Sequence, residues 1–292
     1  MKGLKSLNRA QKILKIAQKY NNSDDLLMSM FGIPSDEPMD LYVIAPSWTP
    51  EKILKNYEYE VEPKFKHAYV SSYVVKFAGY RIGWIQCASS SANLLDSMLM
   101  LANVSTDKIV FMGAVGALRK EIPLGELSTP AESYAYVGGN AFLKEKLSQG
   151  QFGETIRPYD MNFVDQVIER AEKQDIKMVK RKVFCTDSII CEYSHLDEIL
   201  ATGAELIEME TSAFYEGIRL MEKRGIALLC VSDNSAAGIA LVNRSEEEKK
   251  YYHNCRQTWI PELLKIICEM VRTMVPVEDH RPRAVRGYCC VH

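Results

Sequence analysis

Hydrophobic positions along this chain switch between two periods. Leu4, Leu7, Ile13, Leu14, Ile16 and Ala17 recur at mostly helical spacing, which predicts a helix over residues 4–20. The polar run Asn21-Asn22-Ser23-Asp24-Asp25 ends it, and a short helix over 25–31 precedes a loop marked by Pro34 and Pro38. From Asp40 onward short solid apolar runs take over. Residues 41–45, 108–112 and 226–231 read as strands buried on both faces. Residues 69–75 and 80–87 flank Ala78-Gly79 as a hairpin, while 178–185 and 204–209 read as further strands. Helical spacing returns from Ser89-Ser90-Ser91 to Leu101, over 160–174 and 196–200, and over 210–224 with Gly225 as its expected C-cap. A long amphipathic helix is predicted over 246–274, with a kink or break at Pro261.

The alternation predicts an α/β fold of three αβα layers, a mixed twisted sheet covered by helices on both faces. The expected organisation is a helical extension over 1–35, a main domain over 36–275 and an extended or disordered tail over 276–292. In such sheets ligands sit at the carboxyl ends of the strands.

Composition narrows the field. With 47% hydrophobic and 25% charged residues, the 292-residue chain can bury a sizeable core. A net charge of −2 gives no reason to expect nucleic acid or an anionic membrane as partner. The eight cysteines form no Cys-x-x-Cys pair and several lie in apolar runs, so buried free thiols are expected rather than a structural metal or redox site. No segment has the roughly 20 apolar residues of a membrane span, and residues 1–20 lack the apolar centre of a signal peptide, so a cytoplasmic protein is expected. The terminal Cys289-Cys290-Val291-His292 only loosely matches a prenylation box, and its final His is atypical.

Three strand ends carry unusual chemistry. The run 108–112 leads into Gly113-Ala114-Val115-Gly116, read as a sharp turn whose backbone approaches a ligand. In Glu208-Met209-Glu210, two acids emerge between an apolar strand and a helix; such a pair is costly to bury unless something uses it, although Glu210 would also serve as a helix-start acid. In Val231-Ser232-Asp233, an acid follows a buried run, where partial desolvation would raise its pKa and make it a proton donor; an Asx turn is the plainer alternative.

Together and in this order these motifs, supported by Cys185-Thr186-Asp187-Ser188, resemble the nucleoside phosphorylase/nucleosidase superfamily over residues 40–270. The resemblance implies cleavage of the N-glycosidic bond of a purine ribonucleoside or nucleotide, by hydrolysis or phosphorolysis, with no metal and no cofactor. It implies that Glu210 holds the ribose hydroxyls, that Met209 packs on the sugar and that Asp233 protonates or hydrogen-bonds the departing base. It further implies that Glu208 is a first acid of variable role, that Ile189 and Ile190 lie against the base, and that Gly113, Ala114 and Gly116 form the nucleophile-side loop. Ser89, Ser90 and Ser91 are candidates to hold water or phosphate. A homo-oligomer is expected.

The phosphate-binding pattern of the family's phosphorolytic members departs here. The first strand runs into Ala45-Pro46-Ser47-Trp48-Thr49-Pro50 without Gly-Asp or Arg, and Phe111 and Ala114 stand where an Arg and a Ser or Thr would be. Arg119 and Arg157 are the nearest substitutes in the sequence. Water is therefore the expected nucleophile. The alternatives are a family member that binds a nucleoside or nucleotide with weak or no turnover, and a hydrolase that reads a 5′-phosphate. His195 is expected at the surface, and His67 and His253 have no metal-spaced partner.

Overall fold

In the computed structural model, residues 7–67, 69–136 and 152–270 are described. The N-terminal helix α1 spans Arg9–Tyr20; Asn8 and Gln11 close a capping box at its start. Asp25 caps α2, Leu26–Phe31. There follow β1 (Leu41–Ile44), α3 (Pro50–Ile53), β2 (Tyr59–Lys66), β3 (Ser71–Phe77), β4 (Tyr80–Gln86) and α4 (Ser91–Leu99). The second half holds β5 (Lys108–Ala117), β6 (Leu127–Tyr136), β7 (Phe152–Ile156), α5 (Met161–Glu172), β8 (Met178–Cys185) and α6 (Leu196–Ala201). It ends with β9 (Leu206–Glu208), α7 (Thr211–Met221), β10 (Arg224–Asn234) and α8 (Glu246–Glu269).

The strands form one mixed sheet in the order β10-β6-β8-β9-β5-β1-β4-β3-β2, with β7 beside β6. β10 also pairs with β5, so β5, β10, β6, β8 and β9 close a ring at one end of the sheet. Successive side chains point to opposite faces, and the buried runs feed two cores. Tyr42, Ile44, Ile109, Phe111, Ala227 and Leu229 meet α1, α2, α4 and α7 on one face. Leu41, Val43, Val110, Met112, Ile226 and Leu228 meet α3, α5 and α8 on the other. The N-terminal helix belongs to the first core through Ala10 and Leu14, and Asn8 Nδ2 donates to the Met221 carbonyl at 3.0 Å.

The end of α8 is pinned from within. Lys108, the first residue of β5, is buried and donates from Nζ to the carbonyls of Ile267, Cys268 and Met270 at 3.1, 2.9 and 3.3 Å. These carbonyls lie at the end of the helix, where intrahelical donors run out; the Ile267 carbonyl also accepts from the Met270 N–H at 3.3 Å, and an ammonium at a helix C-terminus suits the dipole.

Several expectations need correction. Strands β2, β6 and β7 were not anticipated. β2 and β6 each carry a proline, Pro63 and Pro130, and each proline stands where the pairing register shifts, a position that tolerates the missing N–H. Gly225 does not cap α7. The helix ends at Glu222, in the left-handed conformation with φ 54°, whereas Gly225 lies in β10, where an added Cβ would stand 2.5 Å from Ile218. The Gly113–Gly116 segment is no turn, because β5 continues through it. Pro261 does not break α8; Ile260, Leu263, Leu264 and Ile267 bury the helix on both sides of it. Cysteines 87, 185, 191, 230, 255 and 268 are free, and four of them are buried. The expected tail, with Cys289 and Cys290, lies outside the described residues. Among those residues no helix is long and apolar enough to cross a membrane, and no group of three or more His, Cys, Asp or Glu is arranged to hold a metal.

Candidate active site

The carboxyl ends of β1, β8 and β9 and the far stretches of β5 and β10 surround one cavity of about 180 Å³. A single water needs only about 15 Å³ by the same kind of measure, so the space is ligand-sized. Four acids line it, Glu192, Glu208, Glu210 and Asp233, and no Lys or Arg side chain does among the described residues.

Asp233 owes its position to a bulge. β10 runs parallel to β5 in regular register up to Val231 opposite Val115, and then Asp233 rather than Ser232 faces Gly116. The extra residue turns the acid inward. Gly116 makes room for it, since a Cβ there would stand 3.0 Å from Asp233 Oδ2. Ser232 Oγ donates to Asp233 Oδ1 at 2.5 Å. Burial raises the pKa of Asp233, while the Ser232 hydrogen bond and the charge of Arg244 act the other way. Arg244, which the sequence reading did not single out, donates from Nη1 to the Ser232 carbonyl at 2.6 Å.

The two acids of the Glu-Met-Glu segment divide their labour. Glu208 Oε2 accepts the N–H groups of Glu210 and Thr211, both at 2.8 Å, and Oε1 accepts from the Thr211 hydroxyl and the Cys185 thiol, both at 2.8 Å. The free N–H groups at the start of α7 are thus taken by Glu208. Glu210, at the N-cap position, makes no capping hydrogen bond with its side chain. It is buried, its Oε2 accepts only from Met209 N at 3.3 Å, and its Oε1 has no partner among the described residues. Burial, and then the charge of Glu208, push its pKa well up. Such a group is unstable in isolation and is suited to meet a ligand.

The remaining predicted residues fall into place unevenly. Met209, Ile189, Gly113, Ala114, Gly116 and Ser89 line the cavity, as do Pro46, Ser47 and Trp48 from the loop after β1. Ser47 holds a left-handed φ of 61°, a conformation that costs a non-glycine residue of order 1 kcal/mol and tends to persist at functional sites. Ser90 instead caps α4 through Asn93 N, and Ser91 Oγ donates to the Met209 carbonyl at 2.5 Å. Ile190 is 80% exposed and away from the cavity. Arg157 pairs with Glu132 at 3.2 Å and, like Arg119, lines no part of the cavity. His195 is buried rather than at the surface, with Nδ1 3.6 Å from Glu198 Oε1.

Glu192 was missed outright. It sits on the 3-10 turn Cys191–His195, whose sequence Cys-Glu-Tyr-Ser-His carries no periodicity, and it is buried against the cavity. Burial first, and then the charge of Asp233, push its pKa from 4.5 to about 8.

Comparison with known proteins bears on the family and the fold. The family model of the phosphorylase superfamily matches residues 47–272. A DeoD-type purine nucleoside phosphorylase of Bacillus velezensis is 20% identical over 157 residues, 53% of this chain and 63% of that protein; the match thus spans less than two thirds of the relative's length. The fold is similar to that of a Campylobacter jejuni 5′-methylthioadenosine/S-adenosylhomocysteine nucleosidase, with a TM-score of 0.60 and 18% identity over 80% of this chain and 99% of the other. It is likewise similar to a uridine phosphorylase of Vibrio fischeri, with a TM-score of 0.61 and 17% identity over 81% and 95% of the two chains. The chain therefore belongs to the phosphorylase superfamily.

Proposed function

We propose that the protein releases the base of a purine ribonucleoside by hydrolysis. The observation that carries this reading is the make-up of the cavity: among the described residues it has four carboxyl groups, no cationic side chain and a buried, unpartnered oxygen on Glu210. A phosphate dianion needs Arg forks or an equivalent positive charge, which the described lining lacks, and an ionised Asp233 repels it. The ionised Asp233 also favours the positive charge that develops on ribose as the glycosidic bond lengthens. Glu210 is the group to bond ribose hydroxyls, with Met209 against the sugar and Ile189 against the base. As the bond breaks, its electron pair moves onto the base, and Asp233 is the acid that meets the ring nitrogen. Water adds to the anomeric carbon and yields free ribose. The names of the relatives, a purine phosphorylase and a methylthioadenosine nucleosidase, support a purine base.

One observation favours phosphorolysis instead. Arg244 stands beside Asp233, and its Nε has no partner among the described residues. The experiment that separates the two readings is incubation with a panel of purine and pyrimidine nucleosides, in phosphate-free buffer and with added phosphate. Free base and free ribose at a phosphate-independent rate are expected. A rate proportional to phosphate, with ribose 1-phosphate as product, would overturn hydrolysis and point to Arg244.

A further inference from the structure

Glu192 and Asp233 enter one cavity from separate elements, the Cys191–His195 turn and the end of β10, and both are buried. Their surroundings differ in kind. The carboxylate of Asp233 is favoured by the Ser232 hydroxyl and by Arg244. Glu192 receives neither sort of help: no side-chain hydrogen bond reaches it from the described residues, and after burial the charge that acts on it is the negative charge of Asp233. Two like charges in a desolvated space do not both ionise at moderate cost, so such a pair titrates as a unit and keeps one proton over a wide range.

We infer that Glu192 and Asp233 form a proton-sharing pair in which Glu192 stores the proton that the departing base takes up. This inference rests on the glycosidic cleavage proposed above and adds to it the location of the proton before reaction. Asp233 lies ionised against the base and Glu192 lies neutral beside it. As the bond from the anomeric carbon to the base nitrogen breaks, the electron pair goes to the base. The shared proton follows through Asp233 to a base ring nitrogen, and the pair is left with two negative charges. The water that adds to the anomeric carbon gives up one proton, which returns the pair to its starting state. Nucleoside and water become base and ribose, with no other reactant. The doubly charged pair exists only while the sugar is cationic, so its repulsion is offset when the transition state needs it.

The groups around the pair permit this. Tyr193, on the same turn as Glu192, has its pKa raised by burial and then by Glu192 and Asp233, so it stays a neutral phenol. His195 points to Glu198 at 3.6 Å. Thr186, at the end of β8, lines the cavity with its hydroxyl bonded to the Ser188 carbonyl, and Glu208 and Glu210 bring no positive charge to it. Arg244 acts on Asp233, the partner that is to be ionised.

Two measurements test the pair. In the ligand-free protein, carbon-13 NMR of labelled glutamate should reveal a side chain that titrates near the value of about 8 set by burial and Asp233. The signal should be absent in Glu192→Gln and should move downward in Asp233→Asn. A Glu192 that titrates in the ordinary carboxyl range, or that ignores Asp233→Asn, overturns the inference whether or not the protein turns over nucleosides. In turnover, the wild-type rate should fall as pH rises through the same region. Glu192→Gln should keep KM within a few-fold, lower kcat by about 10²-fold at neutral pH and lose the alkaline fall. A Glu192→Gln protein with wild-type kcat and pH profile would reduce Glu192 to a hydrogen-bond donor and sink the storage role. Wild-type protein that cleaves no nucleoside at any pH would sink the functional reading instead, while the titration still decides the pairing.

Discussion

Titratable side chains are buried at two ends of this molecule, and the two burials are unlike. At the foot of β5 the Lys108 ammonium meets three carbonyls at the end of α8. At the head of the sheet Glu192 is buried, and one oxygen of Glu210 is buried without a donor among the described residues. Hydrogen bonds to a charged group contribute about 1.5–3 kcal/mol each, and leaving such a group bare costs a similar amount or more. The first burial therefore stabilises the fold. The second opposes it, and persists because the strands and α7 hold the acids in place. Glu208, only two residues before Glu210, behaves like Lys108: four donors make it part of the scaffold. Neighbouring residues of one type thus fall on opposite sides of the same division.

The comparison can be broken at its strongest point first. Asp233→Asn should leave the fold intact, judged by far-ultraviolet circular dichroism, and lower kcat by about 10²-fold or more. Unchanged turnover at saturating nucleoside would return Asp233 to the scaffold. Lys108→Met at the other end should do the reverse, costing about 2–4 kcal/mol in urea unfolding with catalysis largely kept in the folded fraction. Next in size, Glu210→Ala should compress the preference for ribo- over 2′-deoxyribonucleosides by about tenfold or more, because the donor-lacking substrate no longer leaves a buried carboxyl unpaired. If the ratio does not move, the free oxygen of Glu210 has no part in sugar recognition.

The smallest effect sharpens the division through pH. Glu192 has a folded pKa raised from 4.5 to about 8, so the folded state holds this proton more tightly than the unfolded chain does. Its contribution to stability is full below the lower value and is lost as pH rises through the higher one. In Glu192→Gln that loss disappears. The variant should melt within a degree or two of wild type near pH 5 and a few degrees above it near pH 9. Equal melting curves at alkaline pH would mean that Glu192 is not held neutral by its surroundings.

Much of this division was legible in the sequence. An acid that follows a solid apolar run is costly, and that contradiction exposed Glu208, Glu210 and Asp233. The same short solid runs, read as strands buried on both faces, pointed to the central strands and the layered fold. What stayed hidden was hidden for physical reasons. β6, Leu-Ser-Thr-Pro-Ala-Glu-Ser-Tyr-Ala-Tyr, buries Ser128, Thr129 and Ser133, and polar residues paired inside a protein look like a loop from composition alone. Glu192 and Ser90 are similar in sequence context, each polar and near small or polar neighbours. Tertiary packing alone decides that one enters the cavity and the other caps a helix. The Gly113–Gly116 spacing was read as a bend, yet Gly116 is needed for the close approach of Asp233 to a straight strand.

The ring of β5, β10, β6, β8 and β9 bears on how the molecule comes into being. Its seam joins Ile109 to Gly225 and Val115 to Val231, partners drawn from distant stretches of chain. Pairings of that span are slow to form, because a long loop must close before any contact rewards it. On the ribosome β5 emerges well before β10, and until β10 arrives the seam is an open edge, a hazard for association between nascent chains. Asp233 rides on that last strand. Closing the edge and delivering the acid are one event, so a chain with a finished sheet has also finished its cavity, and a stalled one has neither.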